Sequence, residues 1–335
     1  VTGDTAPPAV GQPRLGIGIE IGGTKLQAAL VTHEGTVLDR RTDRVDPAAG
    51  ATGIRTALAT LLDALLDAAG ASGRRPAAVG IGFGGPVDRS RGVVATSFHV
   101  GGWGRFPLAE WVADRVRGPL GAVPCLLEND SNAAALAEAT AGAGRGSRVV
   151  FYTNAGSGIG AGLVIDGRLY CGRPPGEMEL GHLRLTPGGG ILEEMASGWA
   201  VDRQVQEEVS RAPAGVLARE AAKTGSSPSA RHLAAALAEG DGPARAILAR
   251  AAGAYAHAIS HAVHLLNPDV IVLGGGLAAI GEPWRMTVAD RLEPLLMAPL
   301  RPAPAVRLAS LGADVVPVGA AIAALTDCEP ARSGS

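Results

Sequence analysis

Twice in this chain an apolar run ends on a cluster of glycines and resumes as a second apolar run. Residues 15–21 lead into Gly22-Gly23-Thr24-Lys25 and continue over 26–32. Residues 148–153 open onto Gly156-Ser157-Gly158-Ile159-Gly160 and continue over 161–165. Short apolar runs punctuated by glycine predict two β-hairpins. Glycine lets backbone N–H groups approach a ligand closely, and each bend adds a hydroxyl, Thr24 or Ser157. Either bend is therefore a candidate phosphate cradle as well as a plain tight turn. No G-x-x-x-x-G-K-[ST] occurs, and strand rather than helix follows each bend, so neither fits a Walker A loop or a dinucleotide fingerprint. The repeat of strand, bend and strand predicts duplicated α/β domains around a cleft.

The remaining pattern fits that frame. Helical spacing of Leu58, Leu61, Leu62, Leu65 and Leu66 predicts a helix over 51–69, ended by Gly70. Strands are expected at 77–83 and 123–127, helices at 107–117 and 131–141. The middle reads as helices over 201–211, 214–222, 230–238 and 243–266, the last stopped by Asn267-Pro268. Strands are expected at 270–273 and 315–318, with a final helix over 320–325. Domain limits follow as 15–130 and 131–319, with residues 320–327 returning to the first domain, a disordered 1–14 and a polar tail from 328.

Lys and Arg number 30 against 32 Asp and Glu, which leaves no global field to draw in nucleic acid. Cys125, Cys171 and Cys328 form no C-x-x-C, excluding a disulfide scaffold and a four-cysteine zinc knot. No leader pattern and no uninterrupted apolar window near membrane length is read, so the expected protein is cytoplasmic, with no membrane partner.

Chemistry-bearing residues gather in two places. Asp130 stands at the end of an expected strand beside Glu128, Asn129, Ser131 and Asn132. A carboxylate at a strand's C-terminal end can deprotonate a hydroxyl, or it can cap the following helix. Glu177, Glu179 and His182, followed by Glu193 and Glu194 after Gly188-Gly189-Gly190, can bind vicinal hydroxyls or a metal. His257, His261 and His264 share one face of the long helix and read as a packed or subunit-facing stripe, with zinc as the rival.

Together these segments resemble the ROK family of bacterial sugar kinases and related repressors, from about residue 15 to 325. IEIGGTK at 19–25 is similar to the family's first phosphate loop, with Glu20 where Asp is usual, as in the fructokinase-like branch. LENDSNAAALAE at 127–138 resembles the catalytic segment, and NAGSGIGAGLVIDG at 154–167 the second phosphate loop. ELGH at 179–182 and GILEEMASG at 190–198 resemble the sugar-binding motifs, and NPDVIVLGGG at 267–276 the stretch beside the adenosine. The resemblance implies a two-domain actin-like (ribonuclease H-like) α/β fold with a central cleft. It also implies ATP and Mg²⁺ as cofactors, a sugar or polyol substrate, and a homodimer.

By the same resemblance Asp130 is the general base, and Gly22, Gly23, Thr24, Lys25, Gly156, Ser157, Gly158, Gly160, Gly274, Gly275 and Gly276 hold the nucleotide. Glu20 acts on Mg²⁺ indirectly, and Asn129, Glu179, His182 and Glu193 hold the substrate. His99 stands where the family has a sugar-contacting Asn, which shifts expectation toward a fructose, amino-sugar or C7-cyclitol acceptor. The family's zinc cysteines fall on Arg184, Thr186 and Ile191, none a thiolate, so no structural zinc is expected. Domain rotation is expected around 128–145 and 310–320. The rivals are a sugar-responsive repressor, for which no helix-turn-helix is read, and a catalytically silent sugar-binding protein.

Overall fold

The computed structural model describes residues 13–97, 100–173 and 178–327. The expectations for His99, Glu177, Cys328, the N-terminus to residue 12 and the tail fall outside them.

The chain divides into two compact units, changing from the first to the second between Ala137 and Glu138 and back between Gly312 and Ala313. The first change falls inside a helix, beyond the limit of 130 read from the sequence.

The first unit opens with β1 (Leu15–Ile21), β2 (Lys25–Thr32) and β3 (Val37–Arg44), followed by α1 (Gly50–Ala71) and β4 (Ala78–Phe83). A short ribbon of β5 (Val87–Asp88) and β6 (Val93–Val94) precedes α2 (Leu108–Leu120), β7 (Cys125–Asn129) and α3 (Asp130–Ala141). The sheet order is β3-β2-β1-β4-β7, with β1 antiparallel to β2 and parallel to β4. By length and composition α1 passes as a membrane span, contrary to the sequence reading. Its Ile54, Leu58, Leu62 and Leu65 are buried in the core of this unit instead.

The second unit repeats the plan. β8 (Val149–Ala155), β9 (Ile159–Ile165) and β10 (Arg168–Leu169) are followed by α4 (Leu192–Ala196), α5 (Gly198–Arg211), α6 (Val216–Thr224), α7 (Leu233–Ala238) and α8 (Gly242–Leu266). Then come β11 (Val270–Gly274), α9 (Glu282–Leu292) and β12 (Ala305–Leu308). The order β10-β9-β8-β11-β12 reproduces the antiparallel hairpin beside two parallel strands. Asp241 caps α8 through Ala244 N, and Asn267 ends it in a left-handed conformation.

The last of the described elements is α10 (Val315–Asp327), which packs on β1 and β4 of the first unit. Residues 315–318, expected as a strand, are its first turn. Pro317 is tolerated there because the first turn's N–H groups have no intrahelical acceptor. Glycine makes the packing possible, since a β-carbon on Gly18 would lie 1.8 Å from Pro317 O and one on Gly319 1.7 Å from Ala133 O. Backbone lies directly on backbone, so no larger residue fits.

Candidate active site

In the first unit, β1, β4 and β7 lie parallel with their C-terminal ends together, where α/β sheets collect ligands. Ile21 O accepts from Gly84 N at 2.9 Å, tying the bend after β1 to the bend after β4. The Gly22–Thr24 bend is closed by Gly22 N donating to Lys25 O at 3.0 Å. Asp130 begins α3 beside these bends. A β-carbon on Gly84 would sit 3.4 Å from its Oδ2.

Helix capping falls to Asn129. Its Oδ1 accepts from Ser131 N at 2.9 Å and Asn132 N at 3.2 Å, and its amide donates to Gly85 O at 3.3 Å. Asp130 Oδ1 accepts from Ser131 N at 2.8 Å. Beneath them Glu128, with its side chain 1% exposed, pairs with Arg89 Nε at 2.9 Å and accepts from Asn132 Nδ2 at 3.0 Å.

Glu20 lies 2.5 Å from Lys25 Nζ. Burial pushes its carboxyl up to about 7; Lys25 opposes that, and the Asp130 and Asp314 carboxylates add to it. Asp314 accepts from Gln27 Nε2 at 2.5 Å and pairs with Arg40 at 2.9 Å. The sequence reading missed Asp314 and the Arg89–Glu128 pair. Only the acidic residue opening an apolar helix signals the former, and no local pattern signals the latter.

In the second unit the Gly156–Gly158 bend is tightened by Gly156 N donating to Gly158 O at 2.9 Å, and Gly198 N donates to Gly156 O at 2.7 Å. Gly275, with φ of +78°, brings the glycine run after β11 against Ala155 in the strand before that bend. The loop and the 274–276 run are thus neighbours. Glu193 Oε2 accepts from Ile159 N at 2.8 Å, so one sugar-site candidate also buttresses this loop.

Glu179 and His182 bracket a 3-10 turn in which His182 N donates to Glu179 O at 3.1 Å. Glu179 is exposed, yet the protein around it desolvates its carboxyl and raises its pKa; His182 works against this and Glu193 adds to it. These three groups therefore interact. Arg184 and Ile191 form an antiparallel bridge, Arg184 Nη1 donates to Gly189 O at 2.5 Å, and Gly189 N donates to Thr186 O at 3.0 Å. Backbone pairing and a guanidinium close this segment. Among the described residues no group of three or more His, Cys, Asp or Glu is placed to hold a metal.

The family model described as the ROK family matches residues 16–327. The chain belongs to the ROK family. This ROK protein is 33% identical over 291 residues to the glucokinase of Thermotoga maritima, covering 83% of this chain and 88% of that protein. It is 26% identical over 291 residues to the N-acetylmannosamine kinase of Yersinia pestis, covering 83% and 89%. A ROK family glucokinase from Streptomyces griseus, solved in complex with glucose and AMPPNP, superposes with a TM-score of 0.79 at 30% identity, over 93% of this chain and 99% of that one. This ROK protein is a carbohydrate kinase of the mixed α/β, actin-like ATPase fold.

Proposed function

We propose that the protein transfers the terminal phosphoryl group of ATP to a hydroxyl of a hexose or sugar-like polyol, with Asp130 as general base. The observation that carries this reading is the division of labour at the start of α3. Asn129 caps the helix, while Asp130 stands at the strand ends beside the first glycine bend.

The residues present fit the cofactors. A β-carbon on Gly156 would meet nothing within 4 Å, so that bend presents open backbone of the kind that takes phosphate. The Asp130 and Asp314 carboxylates crowd Glu20 and help to raise its pKa, and a hard, oxygen-seeking cation relieves such crowding. Mg²⁺ is bound mainly through phosphates and water in sites of this type, so a closed protein cage is not required. When bound, ATP and Mg²⁺ supply the electrophilic phosphorus and neutralise charge on its oxygens.

The chain's own residues do the rest. Asp130 takes the acceptor hydroxyl's proton as the oxygen attacks, and the N–H groups and hydroxyls of Gly22–Thr24 and Gly156–Gly158 hold phosphate oxygens. Glu20, held by Lys25, orders the solvent around the phosphates. Glu179, His182 and Glu193 hold the acceptor's hydroxyls. Excluding water keeps hydrolysis from competing with transfer.

The alternative acceptors are an amino sugar or a C7-cyclitol, favoured by His99 at the position of the family's sugar-contacting Asn. Incubation with ATP-Mg and glucose, mannose, fructose, N-acetylmannosamine or C7-cyclitols, monitored for ADP and phosphorylated acceptor, tests the reading. One acceptor should give equimolar ADP and product. Sugar binding without any turnover across the panel would make the chain a silent sugar-binding protein.

A further inference from the structure

The three histidines of α8 are not equivalent. His264 is committed to the fold, its Nδ1 lying 2.7 Å from Ser260 O and its Nε2 accepting from Met297 N at 3.3 Å. His257 and His261 stack with ring centres 5.3 Å apart and planes 15° apart. His257 is half-buried and His261 exposed, so the stripe is not simply packed, as the sequence reading allowed. Among the described residues neither ring of this pair hydrogen-bonds to the protein, which leaves their nitrogens to solvent.

We propose that His257 and His261 form a chelating site for a first-row transition cation of the zinc, nickel or copper class. Residues four apart on a helix share a face with β-carbons about 5–6 Å apart, the spacing helical metal motifs use. A cation about 2.1 Å from one nitrogen of each ring, at a tetrahedral angle, separates the ring centres by roughly 5 Å. That separation is already present in the stacked pair. What remains is a rotation about χ2, whose potential is broad for histidine, to turn both lone pairs onto one point. Neutral imidazole suits these cations and leaves Mg²⁺ and Ca²⁺ to oxygen donors.

No third His, Cys, Asp or Glu joins the pair among the described residues. Water fills the remaining positions, so the site binds reversibly and yields its metal to a chelator, unlike a closed structural zinc. A bound cation bridges one turn of α8, whose opposite face carries Ile259 and Val263 into the core of the second unit. Metal binding is therefore linked to the stability of that unit.

The test is calorimetric titration of the metal-stripped full chain with Ni²⁺, and in parallel Zn²⁺. One site per chain is expected, reversed by EDTA and accompanied by a rise in melting temperature. His257→Ala and His261→Ala should each weaken binding at least tenfold, as should His261→Gln, which keeps a polar side chain but no imidazole. His33→Ala, an exposed turn histidine of the first unit, should bind as the parent does. Circular dichroism confirms the fold, alanine being the best helix former. Absence of saturable Ni²⁺ binding, or unchanged affinity in folded His257→Ala and His261→Ala, overturns the proposal.

Discussion

Glu138 is a fully buried carboxylate on α3, and it holds two distant segments of the second unit. Oε1 accepts from Ser310 N and Leu311 N, each at 2.9 Å, and Oε2 accepts from Ala143 N at 2.7 Å and Ser310 Oγ at 3.3 Å. Glu138→Ala strands three backbone donors at once. An unsatisfied buried donor costs about 1–3 kcal/mol, so the substitution should lower stability by roughly 3–6 kcal/mol, allowing for some rescue by water. That is a large part of the 5–15 kcal/mol typical of a native protein. Glu138→Gln keeps one acceptor oxygen but turns an amide toward the other donors, and should cost about 1–3 kcal/mol.

The assay is urea unfolding followed by circular dichroism, with midpoints expected in the order wild type, Glu138→Gln, Glu138→Ala. A β-carbon on Gly142 would lie 2.1 Å from Glu138 Oε2, so Gly142→Ala should destabilise the wild type and cost markedly less in the Glu138→Ala background. An alanine variant within about 1 kcal/mol of wild type, or strict additivity with Gly142→Ala, would refute the reasoning.

Two further outcomes are expected. Glu20 has a folded pKa near 7, above its ordinary 4.5, so the native state holds that proton more tightly and this group's contribution to stability declines as pH rises from 4.5 through 7. Glu20→Gln should therefore gain on wild type as pH rises from 5 to 8, by at most roughly 3 kcal/mol in thermal or urea melts; a difference flat with pH would contradict the shift. Gly319→Ala should cost about 3 kcal/mol or more, because its β-carbon overlaps Ala133 O, and wild-type stability in a urea melt would disprove the close approach of α10.

How much of this was legible in the sequence depended on how local each signal is. Both hairpins and their glycine bends, α1, α8 and the strand before Asp130 declare themselves within a dozen residues by period and punctuation. β3 escaped because its sequence, VLDRRTDR, alternates half-buried and exposed positions at the sheet edge and shows no apolar face. β12, four residues long, is too short to register, and α9 hides its Trp284, Val288 and Leu292 spacing among charges. Residues 315–318 look like a strand because valines flank a proline, but they form the first turn of α10, packed closely on Gly18 of β1, a contact no local pattern signals. In the site, the polar run from Glu128 to Asn132 was readable, but which of its side chains takes the N2 and N3 amides of α3 was not: Asn129 does. Nor was Glu138, whose partners at 310 and 311 lie 172 and 173 residues away.

Asp130 is proposed to remove the acceptor's proton. The decisive measurement compares wild type with Asp130→Asn for turnover and for sugar binding by calorimetry, using the acceptor found in the panel. Loss of a general base predicts a fall in kcat of about 10²–10⁴-fold with acceptor affinity changed only a few-fold. Turnover within a few-fold of wild type would contradict the account.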